Sequence, residues 1–221
     1  MHKKKLSVLV LLAVAALACT CNLPSLPGQG DTSVSAPQSS VILQDDFNNT
    51  ASGWEVGDYD AGSVGYTQGT YFVRSETDSS TMWGVANRSF DNVVIDVDTT
   101  QVLAGPDDNN DYGVICREQG DGNGYYMLIS GDGYYTILKA ENRTYVNLVD
   151  WTTSNVINTG NASNQIRAVC NGASLTLFVN GKELASVEDA TFSSGDIGLT
   201  ATTYESTPTE IHFDNLIVSK P

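Results

Sequence analysis

From Val41 to the C-terminus the chain is a series of short, strand-like runs separated by Gly, Asn, Asp and Ser, and helical periodicity is almost absent. The run beginning at Asn92 is typical, because Val93, Ile95 and Val97 alternate with polar residues and so share one face. About a dozen such runs at this spacing predict an all-β fold, an antiparallel sandwich or jelly roll.

Three dipeptides mark tight turns within this series. Asp132-Gly133 and Asn180-Gly181 are strong hairpin signals, and Gln68-Gly69 is a third candidate. We therefore expect each to join two neighbouring antiparallel strands.

The first 18 residues have the pattern of a secretory signal, with three lysines at positions 3–5 and an apolar run over 6–17. The ending Ala16-Leu17-Ala18-Cys19 resembles the lipobox of bacterial lipoproteins. That resemblance implies cleavage before Cys19, lipidation of its thiol and an extracytoplasmic protein anchored to the bacterial cell membrane. The alternative is ordinary signal cleavage nearby, with Cys19 an incidental thiol.

Residues 19–40 are rich in Pro, Gly, Ser and Thr and cannot bury enough apolar surface to order themselves. They are expected to form a flexible tether, which leaves residues 41–221 as one domain with its own core.

The formal net charge of −15 argues against nucleic acid or anionic lipid headgroups as direct partners, so membrane contact is expected through the lipid anchor only. This charge suits cations or neutral ligands such as sugars.

Cys116 and Cys170 are the cysteines of the predicted domain, and an oxidising compartment makes a disulfide between them plausible. Both lie in strand-like runs, and neighbouring strands would let the bridge close easily. Two buried free thiols are the alternative.

Four segments of the second half carry a family resemblance: GYY…GDGYY, NQIRAVCNGASLTLFVNGKEL, FSSGDIGL and HFDNLIVS. They resemble the concanavalin A-like lectin/glucanase superfamily, and more narrowly the laminin-G-like and 3-keto-disaccharide-hydrolase-type jelly rolls of bacterial lipoproteins. The resemblance covers 41–219 and implies two stacked antiparallel sheets, one often concave. Because this fold carries lectins, hydrolases and adhesion modules alike, it does not settle the function.

Catalytic patterns are weak in this sequence. The E-x-D-x-E run of the superfamily's glucanases is missing, no serine sits in a nucleophile elbow, and His212 is the single histidine beyond the signal. A triad or a zinc site needs more than one histidine. We therefore expect no catalytic residues, and a sheet-lining role for His212.

Calcium is the one cofactor that the resemblance implies, because carbohydrate-binding jelly rolls often hold it between the first and last strands. Asp45 and Asp46 on the first strand and Asp214 on the last fit that arrangement. The Asp-rich loop 107–111 is a rival site without an EF-hand pattern. Asp-rich loops are also common turn formers that bind local backbone, which is the alternative for both.

Aromatic side chains are the candidate ligand contacts, because sugar rings stack on them while Asp and Asn bind the hydroxyls. The candidates are Trp83, Tyr125, Tyr126, Tyr134, Tyr135 and Trp151. The two tyrosine pairs are expected to face each other across the Asp132-Gly133 hairpin, with one tyrosine of each pair leaving the core side. Cross-strand aromatic pairs also stabilise a sheet without any ligand, which is an equal alternative. Trp54 is expected to be a structural plug.

These features favour a surface-anchored, non-catalytic module that binds a glycan or an envelope polysaccharide. A structural or protein-interaction module of the cell envelope is the alternative. A glycoside-cleaving enzyme of the 3-keto-disaccharide-hydrolase type ranks third, since it requires two carboxyl groups at a defined separation.

Overall fold

The computed structural model describes residues 40–221, which contain fifteen β-strands and no helix, and hence no helix able to cross a membrane. The predicted signal (1–18), Cys19 and the tether up to Ser39 lie outside the described residues. The strands are β1 Val41–Asp45, β2 Gly57–Tyr59, β3 Gly62–Thr67, β4 Thr70–Ser75, β5 Ser80–Val85, β6 Val93–Leu103, β7 Asn110–Glu118, β8 Gly124–Ile129, β9 Tyr134–Glu141, β10 Thr144–Thr153, β11 Ser163–Asn171, β12 Ser174–Val179, β13 Lys182–Glu188, β14 Asp196–Thr203 and β15 Thr209–Ser219.

The strands form two antiparallel sheets. The nine-stranded sheet has the order β13-β12-β11-β6-β15-β4-β3-β2, with β1 also pairing with β15. The six-stranded sheet has the order β10-β9-β8-β7-β14-β5. The predicted all-β antiparallel sandwich is thereby confirmed.

The main core lies between the sheets and is built from alternate residues of the strands. Val93, Ile95 and Val97 of β6 are buried there, as the alternation predicts, and Val114 and Met127 face them from the six-stranded sheet. Burying each such side chain contributes roughly 1.5–3 kcal/mol. Tertiary burial, rather than strand propensity, therefore holds the sandwich together.

Three hairpins confirm the predicted turns. Gln68 and Gly69 between β3 and β4 both adopt positive φ (48° and 80°), as do Asn180 and Gly181 between β12 and β13 (50° and 79°). Such turns match the twist of the strands they join. Gly133, with φ of 94°, closes the connection between β8 and β9.

Trp54 is buried against an aromatic group at one end of the core. Its ring meets that of Phe47 at 5.6 Å between centroids, nearly edge to face, and lies 5.2 Å from the ring of Tyr71. This packing confirms Trp54 as a structural plug.

Cys116 and Cys170 form the predicted disulfide, with their Cα atoms 6.8 Å apart. The two strands it joins are not neighbours in one sheet. Cys116 lies on β7 of the six-stranded sheet and Cys170 on β11 of the nine-stranded sheet, so the bridge crosses the core. It fixes the two layers to each other.

Arg117 follows Cys116 at a bulge in β7, where its φ is +57°. Its guanidinium is buried and donates hydrogen bonds to the carbonyl oxygens of Asp91 (3.1 Å) and Phe192 (2.8 Å) and to Oδ1 of Asn92 (3.3 Å). Burial lowers the pKa of Arg117. The side chain thus ties two loops to β7.

Candidate functional site

The outer face of the six-stranded sheet carries a second apolar cluster, separate from the main core. It consists of Ile115, Tyr126, Leu128, Leu138 and Ala140, with Trp83 packed against it. These residues alternate along their strands with the core residues and therefore point to the opposite face. The cluster's five strand residues are at most 7% exposed, so the cluster is covered, and the candidate binding surface is formed by the cavities beside it.

Two adjoining cavities open on this face, and together we call them the aromatic cleft. The inner cavity, about 180 Å³, is lined by Thr81, Asp111, Tyr126, Leu128, Leu138, Tyr145, Asn147, Trp151, Thr202 and Tyr204. The outer cavity, about 470 Å³, is lined by Asn109, Asn110, Ser130, Asp132, Tyr134, Trp151 and Tyr204. Trp151 and Tyr204 line both, so one extended ligand can contact the two cavities at once.

Asp111 is the charged residue of the inner cavity. Its side chain is buried, Oδ2 accepts a 2.8 Å hydrogen bond from the Tyr204 hydroxyl, and Oδ1 has no hydrogen-bond partner within the described part of the chain. The hydroxyl of nearby Thr202 also forms a 2.9 Å hydrogen bond with that of Thr81, in which either can be the donor. Burial raises the pKa of Asp111 to about 6, although the hydroxyls of Tyr204 and Thr202 favour its ionised form.

Tyr126 and Tyr145 form one wall of the inner cavity. Their rings meet edge to face with 5.9 Å between centroids, and the Tyr126 hydroxyl donates a 2.8 Å hydrogen bond to the carbonyl oxygen of Gly122. Burial raises the pKa of Tyr126, so this hydroxyl stays protonated. The ring is therefore fixed in place before any ligand binds.

Trp83 lies on the same outer face but is covered by the loop that follows β7. The ring stands so close to Gly122 that an added Cβ there would lie 3.0 Å from it. Glu118 holds this loop by accepting hydrogen bonds of 2.7 Å from the N–H groups of Gly120 and Gly122. Trp83 thus supports the face more than it exposes a stacking surface.

The predicted aromatic residues divide between the two faces. Tyr134 and Trp151 line the aromatic cleft and are 38% and 36% exposed, and Tyr126 lies at its base. Tyr125 and Tyr135 face the main core instead, so they are not part of this surface. The Tyr125 hydroxyl donates a 2.6 Å hydrogen bond to Asp189 Oδ1.

The predicted pairing of tyrosines across the β8–β9 hairpin is wrong. Tyr125 is opposite Lys139, Tyr126 is opposite Leu138, and Tyr135 is opposite Ile129. One member of each pair does leave the core side, as the alternation predicts.

Sequence reasoning missed three residues of the cleft: Asp111, Tyr145 and Tyr204. Tyr145 and Asn147 alternate on β10 and line the same cavity as Trp151, but two register shifts between Asn147 and Thr152 interrupt the alternation, so counting back from Trp151 does not identify Tyr145. Asp111 was noted as part of an Asp-rich loop. Its burial depends on Tyr204, which reaches it from 93 positions away.

The predicted calcium ligands each serve a local turn. Asp45 Oδ1 accepts a 2.8 Å hydrogen bond from the N–H of Phe47, and Asp46 Oδ1 accepts one of 3.2 Å from the N–H of Asn48. Asp214 Oδ1 accepts a hydrogen bond from the N–H of its neighbour Asn215. Within residues 40–221 no three His, Cys, Asp or Glu side chains are grouped to hold a metal ion. These residues therefore do not form a ligand set by themselves, and calcium stays a prediction.

A polar groove of about 370 Å³ lies on the nine-stranded sheet and contains His212, with Asp98 and Asp214 directly opposite each other on β6 and β15. His212 is half-buried between Glu210 (2.8 Å) and the Thr70 hydroxyl (3.2 Å). Its partners are structural, so the predicted sheet-lining position of His212 is what the geometry shows.

No protein-family model and no curated protein matches this chain. Solved structures match its fold. The carbohydrate-binding module CBM66 from Bacillus subtilis has a TM-score of 0.58 and 15% identity, covering 76% of this chain and 96% of the module. A Bacillus licheniformis β-glucanase has a TM-score of 0.61 and 13% identity, and the match covers 83% of this chain and 100% of the glucanase chain. A Bacillus subtilis protein of unknown function with a galectin-like fold has a TM-score of 0.60 and 9% identity, and the match covers 83% of this chain and 97% of that protein's chain.

At these identities the likeness shows the fold alone. The domain is a concanavalin A-like jelly-roll sandwich, an architecture found in carbohydrate-binding modules and glycosidases.

Proposed function

We propose that this protein is a surface-anchored, non-catalytic module that binds a glycan in the aromatic cleft. The observation that carries the proposal is the set of half-exposed rings, Tyr134, Trp151 and Tyr204, beside a buried carboxyl acceptor at Asp111. A cleft of apolar walls with a few fixed polar groups is the usual form of a small-molecule site.

In this proposal the rings stack on the apolar faces of successive sugar units. Asp132 and Asn109 at the rim of the outer cavity bind hydroxyls, and Asp111 binds a donor group at the base of the inner cavity. Because Tyr126 and Asp111 are already held by hydrogen bonds, little ordering is needed on binding.

The location belongs to the same proposal. A lipid on Cys19 would anchor the mature chain, and the tether to residue 40 would hold the sandwich away from the membrane. The disulfide between Cys116 and Cys170 is consistent with an oxidising, extracytoplasmic compartment.

A glycan array followed by isothermal titration calorimetry tests the proposal. The purified full-length protein should bind at least one polysaccharide class, and Trp151→Ala should weaken that binding. Silence across all common polysaccharides, with and without calcium, would exclude glycan binding.

One observation favours a protein-interaction role. β10 is an exposed edge of the six-stranded sheet and carries Tyr145 and Val146, which suits a protein partner that adds a strand. A pull-down of an envelope protein that fails with a proline in β10 would favour this role. Release of reducing ends that stops in Asp111→Asn would indicate a glycosidase, which needs a second carboxyl group besides Asp111.

A further inference from the structure

We infer that the aromatic cleft selects glycans that carry a protonated amine, with the ammonium group of an amino sugar seated on Asp111. The inference rests on the proposed glycan-binding function and names the ligand class of the same site. It follows from an unpaired buried acceptor, the rings around it and the charge of the protein.

The unpaired oxygen of Asp111 is the first step. An ionised carboxylate can only accept hydrogen bonds, and a buried acceptor without a partner is strongly disfavoured. Oδ2 accepts a hydrogen bond from Tyr204, Oδ1 is buried without a hydrogen-bond partner among residues 40–221, and the residue lines the inner cavity. A ligand that donates a hydrogen bond there removes this penalty.

The surroundings of Asp111 lack a positive charge of their own. Among residues 40–221, Asp111 takes part in no ion pair, and no Lys, Arg or His lines the inner cavity. The titratable groups that face it are the hydroxyls of Tyr204, Tyr126 and Tyr145. A neutral sugar hydroxyl supplies a hydrogen-bond donor but leaves the charge of the carboxylate uncompensated. An ammonium group supplies both the donor and the compensating positive charge.

The ring walls favour a cation as well. Tyr126, Tyr145, Trp151 and Tyr204 all line the small inner cavity, and the faces of aromatic rings attract ammonium groups at short range. The formal net charge of −15 adds a long-range attraction for a cationic glycan.

The two cavities divide the work between them. The inner cavity, about 180 Å³, takes the amine-bearing edge of one sugar, and the outer cavity, about 470 Å³, takes the neighbouring units of the chain. Trp151 lies between them and contacts both parts of the ligand.

Three β-1,4-linked hexasaccharides that differ only at carbon 2 test the inference: glucosamine, N-acetylglucosamine and glucose oligomers. Calorimetric titration of the purified full-length protein at pH 7 should show the glucosamine oligomer binding at least about tenfold more tightly than the other two. Asp111→Asn, which keeps an acceptor for Tyr204, should reduce that preference to about twofold or less.

Asp58→Asn is the matched control, because it makes the same charge change at an exposed position on the nine-stranded sheet. It should leave the preference intact, and an equal loss in both variants would mean non-specific attraction and overturn the inference. Equal or tighter binding of a neutral oligomer by the unaltered protein would overturn the inference while supporting glycan binding. If none of the three oligomers binds but another polysaccharide on the array does, the amine preference is wrong and the proposed function stands. If no oligomer and no polysaccharide binds, the inference and the proposed function are both wrong.

Discussion

The Tyr204 hydroxyl donates a 2.8 Å hydrogen bond to one oxygen of Asp111, and the other oxygen of this buried carboxylate has no hydrogen-bond partner among the residues that the structure describes. This arrangement places a polar acceptor at the base of an aromatic cavity. It costs stability when the site is empty and becomes favourable when a donor enters. A binding site that is destabilising on its own is a common trade-off between stability and function.

The first prediction concerns the stability of Asp111→Asn against pH. The native pKa of about 6 lies above the ordinary value of 3.8, so the native state binds the proton more tightly than the unfolded state. Stability therefore falls as pH rises from about 4 to about 6, by up to about 3 kcal/mol. Thermal melts should show Asp111→Asn to be more stable than the unaltered protein at pH 7.5, with no difference at pH 3.5.

Asp58→Asn serves as the reference for that comparison, since this side chain is exposed and makes no hydrogen bond in the described structure. It should not change the melting temperature by more than a degree or two at either pH. An Asp111→Asn protein that is less stable at pH 7.5 would show that the carboxylate is held favourably and contradict the prediction.

The second prediction concerns Trp151, which is 36% exposed and lies on the edge strand β10. Trp151→Ala should weaken binding of the best array glycan at least about tenfold, or about 1.4 kcal/mol, because a ring shared by both cavities is lost. Calorimetry measures the affinity and a thermal melt checks the fold. Tyr59→Ala removes an exposed ring from the nine-stranded sheet and should leave affinity unchanged; a similar loss there would rule out a specific role for Trp151.

The third prediction concerns the disulfide that crosses the core. Cys116 and Cys170 are 54 positions apart. In the chain-entropy account, removing a cross-link that closes a loop of that length lowers the free energy of unfolding by about 4 kcal/mol. The Cys116→Ala/Cys170→Ala double variant should unfold at clearly lower urea concentration. A reductant should destabilise the unaltered protein and have no effect on the double variant, and indifference of both to reductant would contradict the bridge.

The fourth prediction concerns the buried Arg117. Lysine at this position cannot reach all three acceptors, so the carbonyl groups of Asp91 and Phe192 compete for one ammonium group. We expect Arg117→Lys to lower the free energy of unfolding by about 2–3 kcal/mol in a urea titration. Arg88→Lys, at an exposed position, should change it by less than about 0.5 kcal/mol, and an equal effect would refute the specific role of Arg117.

The fifth prediction tests the anchor. Cys19→Ala should abolish incorporation of a labelled fatty acid and move the protein from the membrane fraction to the soluble fraction. Cys21→Ala should leave labelling intact, because Thr20 precedes Cys21 where the lipobox pattern has Ala, Gly or Ser. Undiminished labelling of Cys19→Ala would exclude this cysteine as the acceptor.

Local patterns predicted much of the fold because strand alternation and tight turns depend on neighbours in the chain. Val93, Ile95 and Val97 are buried together, and Asn180-Gly181 turns with both residues at positive φ. The register of the tyrosines was misread. With the turn centred on Asp132, Tyr126 lies much further from it along the strand than Tyr134, so the two cannot be opposite.

The sequence by itself determined an all-β sandwich, its main turns, and the cysteines that can bridge in an oxidising compartment, because periodicity and turn chemistry are local properties. Only the tertiary structure decided that the disulfide joins opposite sheets and that Tyr125 faces the core. It also decided that Asp111, Trp151 and Tyr204 share one cleft. These relations depend on which distant strands become neighbours, and that is set by packing the whole chain around one core rather than by any short stretch of it.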